Sequence, residues 1–150
     1  MHPRNPYRDK PPDFAALARR HPCFARHVHG AQAQLDWGDP AALVELSRAL
    51  LLEDFGVHWD IPPDRLCPTI PSRLNYLLWI EDLLALRAAT PAAGAEAAAA
   101  VVGVDIGTGA SCVYPLLGAA RHADWRFVAT EIDPASVEVA RANVSRNGWE

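Results

Sequence analysis

Lysine is almost absent from this 150-residue chain: Lys10 stands alone against 13 arginines, and Met1 is the only methionine. Cysteine is scarce as well. Cys23, Cys67 and Cys112 lie far apart and form no Cys-x-x-Cys pair, a pattern of free thiols in a reducing, intracellular setting rather than of a disulfide framework. No run of about 18 apolar residues occurs, because even the Ala-rich stretch 88–102 is broken by Pro91, Gly94 and Glu96. A membrane-spanning helix is therefore not expected. The start, Met1-His2-Pro3-Arg4-Asn5-Pro6, carries charge without an apolar segment, so no secretory signal is expected either. The apolar half of the composition includes 27 alanines, which leaves Leu, Val, Ile and five Trp to build the core. One domain's worth of chain is long enough for that.

The net charge of −4 is unevenly spread. Residues 1–30 hold Arg4, Arg8, Lys10, Arg19, Arg20 and Arg26 against Asp9 and Asp13, a balance of +4 that leaves −8 for the remainder. A basic head on an acidic body suits an arm that meets a polyanion, nucleic acid foremost; the alternative is a solvated tail. The prolines at 3 and 6 predict an extended arm. His21, Cys23, His27 and His29 share this region, but their spacing matches no common zinc site, so no metal is expected.

Helix punctuation is clear beyond the arm. Asp13 reads as the cap of a helix with Phe14, Leu17 and Ala18 on one face, interrupted at Pro22. Residues 30–38 read as a short hairpin or loop around Leu35 and Trp37. Asp39 and Pro40 open a second long helix whose leucine stripe ends before Gly56. Val57 to Asp60 is a strand candidate. Ile61 to Pro71 is a proline-rich loop in which Ile61, Leu66 and Ile70 are placed to pack, and Ser72 is the expected cap of a helix reaching Arg87. Residues 88–100 are of low complexity and predict a variable connection between a helical part, 1–87, and a second part, 101–150.

The periodicity then changes. Val101 to Ile106 is a continuous apolar run of the kind buried in a parallel sheet, followed by a glycine turn and a helix through Leu116 and Leu117. Trp125 to Thr130 is a second strand, and Asp133-Pro134 opens a helix that stops at Gly148. This is β-α-β-α, the opening half of a doubly wound α/β sheet.

The chemistry concentrates in Val104-Asp105-Ile106-Gly107-Thr108-Gly109-Ala110-Ser111 and in Glu131, 24 positions after Gly107. Glycines let the backbone turn sharply and approach a ligand at a helix N-terminus. An acid at the tip of the next strand is suited to two ribose hydroxyls. A dinucleotide fingerprint wants Gly or Ala where Cys112 stands. An acid before the first glycine, Asp105, fits instead the pattern of S-adenosylmethionine-dependent methyltransferases, in which no phosphate needs a cradle.

Six stretches resemble one family: Lys10-Pro-Pro-Asp-Phe14, Asp54-Phe-Gly56, Asp60-Ile-Pro62, Pro71-Ser-Arg-Leu-Asn-Tyr76, Trp79-Ile-Glu-Asp-Leu83 and Asp105-Ile-Gly-Thr-Gly-Ala-Ser-Cys-Val-Tyr-Pro-Leu-Leu-Gly118. They are similar to the RNA adenine-N6 methyltransferases of the methyltransferase-like protein 16 type, a family that includes the bacterial 23S ribosomal RNA enzyme. The resemblance implies a Rossmann-like S-adenosylmethionine-dependent methyltransferase fold with an N-terminal helical extension that grips RNA. By position, Arg73 would pair with the cofactor carboxylate, Gly107 and Ser111 would lie under its methionine part, and Glu131 would take the ribose. Arg4, Arg8, Lys10, Pro11, Pro12, Asp13 and Phe14 are the expected RNA-binding residues. The family's catalytic Asn-Pro-Pro-Phe does not occur in these 150 residues, and Asn5-Pro6-Tyr7 lacks its second proline and its strand context. The chain is accordingly expected to be an N-terminal fragment with no catalytic residue of its own and no activity alone. The expected partner is U6 small nuclear RNA, with ribosomal RNA or a non-catalytic RNA-binding role as alternatives. In a eukaryote it is expected in the nucleus or cytoplasm.

Overall fold

The computed structural model describes residues 1–30, 32–89 and 100–149. A 3-10 turn at Pro6–Arg8 precedes α1 (Phe14–Arg20), α2 (Pro22–Ala25), the hairpin β1 (Val28–His29) and β2 (Gln34–Leu35), α3 (Pro40–Phe55) and α4 (Ile70–Ala88). Then come β3 (Val102–Ile106), α5 (Val113–Arg121), β4 (Arg126–Thr130) and α6 (Pro134–Arg146). No helix among the described residues is long and apolar enough to cross a membrane. Most of the predicted connection over 88–100 lies outside the described residues.

The carboxylate caps behave as their positions predict. Asp13 accepts from the Ala16 N–H, Asp39 from Ala41, and Asp133 from Ala135 and Ser136, each satisfying helix-end donors that have no partner within the helix. Gly56 ends α3 at φ +66°, a left-handed position that a residue with a Cβ adopts only at a cost. The cap of α4 differs from expectation. Thr69, not Ser72, is the N-cap, and the helix starts at Ile70 with Pro71 in its first turn. A first-turn proline forfeits nothing, since its missing N–H would have been unpaired there. In the preceding loop Ile61 and Ile70 pack inside as expected, but Leu66 faces solvent.

The predicted strand at Val57 to Asp60 is not a strand. Val57 donates to the Leu51 carbonyl at 3.0 Å, and the backbone groups of His58 and Asp60 bond to two side chains, Asn143 of α6 and its C-cap Asn147. Asn143 accepts from the Asp60 N–H at 2.9 Å and donates to the Asp60 carbonyl at 2.8 Å, and Asn147 does the same at His58 with 2.8 Å each way. Residues four apart, one in α6 and one capping it, thus meet residues two apart in the 57–60 segment, and the amides stand in for a neighbouring strand. Asn143 is fully buried, so the Asn143-Val144-Ser145 sequon is closed to modification in the folded chain.

β3 and β4 pair in parallel from Val102↔Arg126 to Ile106↔Thr130, with α5 as their crossover. Buried leucines of α3, α4 and α5, among them Leu51, Leu74, Leu78 and Leu117, join in one core. The run Val101 to Ile106 departs from its expected burial. Val102, Val104 and Ile106 are more than half exposed, Ile106 at 84%, and so is Val128 beside them. Side chains alternate along a strand, and only the face carrying Gly103 and Phe127 meets α5.

That covered face is tightly fitted. A Cβ on Gly118 would stand 2.2 Å from Phe127 Cζ, and one on Gly103 would stand 2.7 Å from Phe127 Cε1, so the ring has glycine on both sides. Gly118→Ala is expected to destabilise by about 1 kcal/mol net, an overpacking cost of about 1–3 kcal/mol offset by about 1 kcal/mol of helix propensity. Phe127→Leu should reverse the sign in the double variant. Urea unfolding decides, and a more stable Gly118→Ala chain would mean that the ring moves aside freely.

The N-terminal ten residues are not an extended arm. Asn5 and Tyr7 are buried, and the segment lies along α4. His2 donates its backbone N–H to Asn75, Arg4 reaches Glu81 and Asp82 at 2.6 Å each and the Leu78 carbonyl at 3.0 Å, and Asn5 donates to the Pro71 carbonyl at 2.9 Å. Tyr7 donates to Asp54 at the end of α3. Glu81 is the hub, its side chain only 10% exposed, with Arg121 of α5 at 2.7 Å and His122 at 3.0 Å on its other oxygen. Hydrogen bonding, not the presence of prolines, decides where this segment goes.

Burial pushes the Glu81 carboxyl up, but hydrogen bonds from His122, Arg121 and Arg4 outweigh it and hold it below the ordinary value; His2 and Arg4 lower Asp82. Both folded-state pKa values lie below the unfolded ones, so the stability they contribute is complete above about pH 4–5 and is lost as pH falls further. Urea midpoints should therefore stay level from neutrality to about pH 5 and fall below about pH 4, with a shallower fall in Glu81→Gln. Equal falls in both chains would remove Glu81 from the latch.

Candidate functional site

The glycine turn between β3 and α5 is held at three points. The Gly107 and Thr108 N–H groups both donate to the Thr130 carbonyl at 2.9 Å, tying the loop to the end of β4. Glu131 accepts from Gly109 at 2.9 Å with one oxygen and from Ile132 and Asp133 at 2.8 and 2.9 Å with the other. At the far end the Ser111 carbonyl accepts from the Trp59 indole N–H at 2.8 Å. Gly107 and Gly109 sit at φ +75° and +65°, and a Cβ on either would meet nothing within 4 Å. Their need for glycine is conformational, and the space in front of them is open.

That space is a cleft of about 440 Å3 running from the loop to the first turn of α4. Arg73 lines it from α4, Asp105 from the end of β3, Ser111 from the loop and Tyr114 from α5. Arg73 donates to the Tyr114 hydroxyl at 3.1 Å, with its guanidinium 5.7 Å from that ring. Tyr76 packs on the same ring at 5.1 Å. Asp105 accepts from the Thr108 hydroxyl at 2.7 Å. A cation and an anion therefore line one cleft that also receives the N-terminal end of α5, an arrangement suited to a zwitterion.

Arg73, Gly107 and Ser111, predicted together, are together. Glu131 is not among the residues lining this cleft; it lines an adjoining cavity that shares Thr108 with it. Backbone hydrogen bonds from Asp133, Gly109 and Ile132 hold its carboxyl below the ordinary value, so it is anionic at neutral pH. Pro12 and Phe14 line a small apolar cavity with Trp37, and Pro68 borders both that cavity and the cleft. Lys10, Pro11 and Asp13 are exposed beside them. Arg4 is engaged by Glu81 and Asp82, and Arg8 by Asp9 at 2.9 Å.

Sequence reasoning missed Trp59, Tyr114, Asn143 and Asn147. The Asp60-Ile-Pro62 stretch marked the neighbourhood of Trp59, but no spacing rule links residues 59 and 111. The histidines do not converge: His21 is 3.1 Å from Glu53 and His27 is 3.0 Å from Asp39. Among the described residues no group of three or more His, Cys, Asp or Glu is able to hold a metal ion. A larger cavity of about 620 Å3 lies between α3 and α6, away from the glycine loop. Its Arg48 pairs with Glu45 and Asp60, and its Arg146 with Asp60, so its charges are largely spent on one another.

Residues 1–149 match the sequence profile of an RNA methyltransferase family as one stretch. The chain belongs to this RNA methyltransferase family. Among its relatives, the U6 small nuclear RNA (adenine-(43)-N(6))-methyltransferase of Caenorhabditis briggsae is 47% identical over 150 residues, which cover 98% of this chain and 29% of that protein. The crystal structure of the N-terminal domain of human METTL16 in complex with SAH has a TM-score of 0.86 at 46% identity, covering 99% of this chain and 55% of that one. The human METTL16 catalytic domain in complex with the MAT2A 3'UTR hairpin 1 gives 0.84 at 46% identity, covering 99% and 48%. The chain thus spans less than a third of the curated relative and about half of the solved domains. Its β3-α5-β4-α6 unit with the helices before it has the fold of a Rossmann-like S-adenosylmethionine-dependent methyltransferase, as the resemblance implied.

Proposed function

We propose that the protein uses this chain to bind S-adenosylmethionine for methyl transfer to N6 of an adenosine in structured RNA, with U6 small nuclear RNA as the substrate. The observation that carries the reading is one cleft lined by Arg73, Asp105 and an open glycine turn at a helix N-terminus. The residues fit the cofactor. Arg73 suits a carboxylate and Asp105 an ammonium, as the amino acid end of S-adenosylmethionine requires, and Gly107 and Ser111 line the same cleft. Bound there, S-adenosylmethionine supplies an electrophilic methyl group on a sulfonium. Glu131 accepts three N–H groups. A carboxylate has about four acceptor positions, which leaves room for a ribose hydroxyl.

The RNA side of the proposal rests on Lys10, Pro11, Pro12, Asp13 and Phe14, a largely solvent-facing strip across Pro68 from the cleft. Arg4 and Arg8 join them only by exchanging their present carboxylate partners for phosphates. The U6 preference is supported by Arg73-Leu-Asn-Tyr76 followed by Trp79-Ile-Glu-Asp-Leu83, which look more like the eukaryotic branch of the family, and by the name of the nematode relative.

The test is methyl transfer by the natural protein from labelled S-adenosylmethionine to a U6 hairpin, followed by digestion to nucleosides. N6-methyladenosine is the expected product. Label on another base or on ribose, or no label, overturns the activity. A marked preference for a ribosomal RNA fragment keeps the activity and reverses the substrate.

A further inference from the structure

We propose that Trp59 is a positioning residue for the cofactor cleft, acting through the Ser111 carbonyl; the inference rests on the cofactor reading above. The loop Gly107 to Ser111 contains two left-handed glycines whose Cβ positions face open space, so packing at those residues does not impose its shape. Hydrogen bonds do. Thr130 and Glu131 hold the β-strand side. On the helix side the Trp59 indole reaches Ser111 at 2.8 Å, and Asn143 reaches the Ala110 carbonyl at 3.4 Å.

Trp59 is itself firmly based. Its indole is buried, 3% exposed, and the next residue has both backbone groups held by Asn143. A phenyl ring or an aliphatic side chain would be apolar as well, but no other apolar side chain carries an N–H to aim at a carbonyl. The bond fixes the Ser111 peptide, and with it the direction of the backbone entering α5, whose N-terminal end faces the cleft. Preorganisation of this kind lowers the ordering cost of binding without touching the ligand.

Two variants separate the N–H from the ring. In the natural protein, Trp59 replaced by 3-benzothienylalanine keeps the fused ring and puts sulfur where the N–H was; Trp59→Phe keeps a smaller ring. In both, the dissociation constant and KM for S-adenosylmethionine are expected to rise about tenfold, with kcat within about twofold. Amide hydrogen exchange should quicken from Gly109 to Val113 and stay unchanged in α3 and α4. A benzothienyl variant indistinguishable from the parent in affinity and in loop exchange overturns the inference and leaves Trp59 a packing residue. A parent protein that does not bind S-adenosylmethionine overturns the proposed function instead. In that event loop exchange in the benzothienyl variant still decides, since an unchanged loop rejects the restraint.

Discussion

Asn143→Ala is expected to lower the unfolding free energy by about 2–4 kcal/mol, while Asn147→Ala lowers it by about 1 kcal/mol or less. The two asparagines make the same pair of bonds to the 57–60 segment, but in different surroundings. Asn143 is wholly buried and also reaches the Ala110 carbonyl. Removing its amide leaves Asp60 N–H and C=O groups without partners where water enters poorly, at about 1–3 kcal/mol for each group. The bonds of Asn147 to His58 lie at the surface, and water replaces them at little cost. Urea unfolding of the two variants is the measurement. Equal losses would show that the Asp60 backbone is solvated after the amide is removed, and the clamp would then not be a buried one.

Arg73→Ala and Glu131→Ala are each expected to weaken S-adenosylmethionine binding by about tenfold or more, the scale of a lost hydrogen bond to a charged group. The two losses should differ in kind. Arg73 lines the cleft and holds Tyr114, so Arg73→Lys, which keeps the charge but loses the planar fork, is expected to recover only part of the affinity. Glu131 holds the Gly109 N–H as well as being the proposed partner of the ribose, so Glu131→Gln is expected to keep some of the loop geometry and lose the anion. Calorimetry on the natural protein reads both. Full affinity in Glu131→Ala would confine that residue to holding the loop, and full affinity in Arg73→Ala would move the carboxylate site elsewhere.

Much of the frame was legible in the order of residues. Asp13, Asp39 and Asp133 announce helix starts because a short carboxylate caps through local geometry alone, and Gly56 announces a stop for the same reason. The glycine turn and Glu131 are visible because their spacing follows from one β-α-β unit. What failed involved competition between distant partners. Val57 to Asp60 reads as a strand by composition, but it pairs with no strand. The partners of His58 and Asp60 stand more than 80 residues later, in α6 and at its C-cap. The first ten residues read as a basic arm by charge, but four carboxylates, Asp9, Asp54, Glu81 and Asp82, engage Arg8, Tyr7 and Arg4, and three of the four come from α3 and α4.

The sequence by itself determined the family, the β-α-β-α order and most helix ends, and it grouped Arg73, Gly107 and Ser111, which line one cleft. The element order and helix ends depend on local conformational preference, and Gly107 and Ser111 belong to one short motif, whereas the family and the place of Arg73 came from the resemblance of longer stretches. Only the tertiary structure decided that Glu131 holds the glycine loop from an adjoining cavity and that Arg4 is spent on Glu81 and Asp82. It alone placed the Trp59 indole on the Ser111 carbonyl, 52 residues away. A long-range hydrogen bond leaves no periodicity in the chain, because its geometry is set by how whole helices pack.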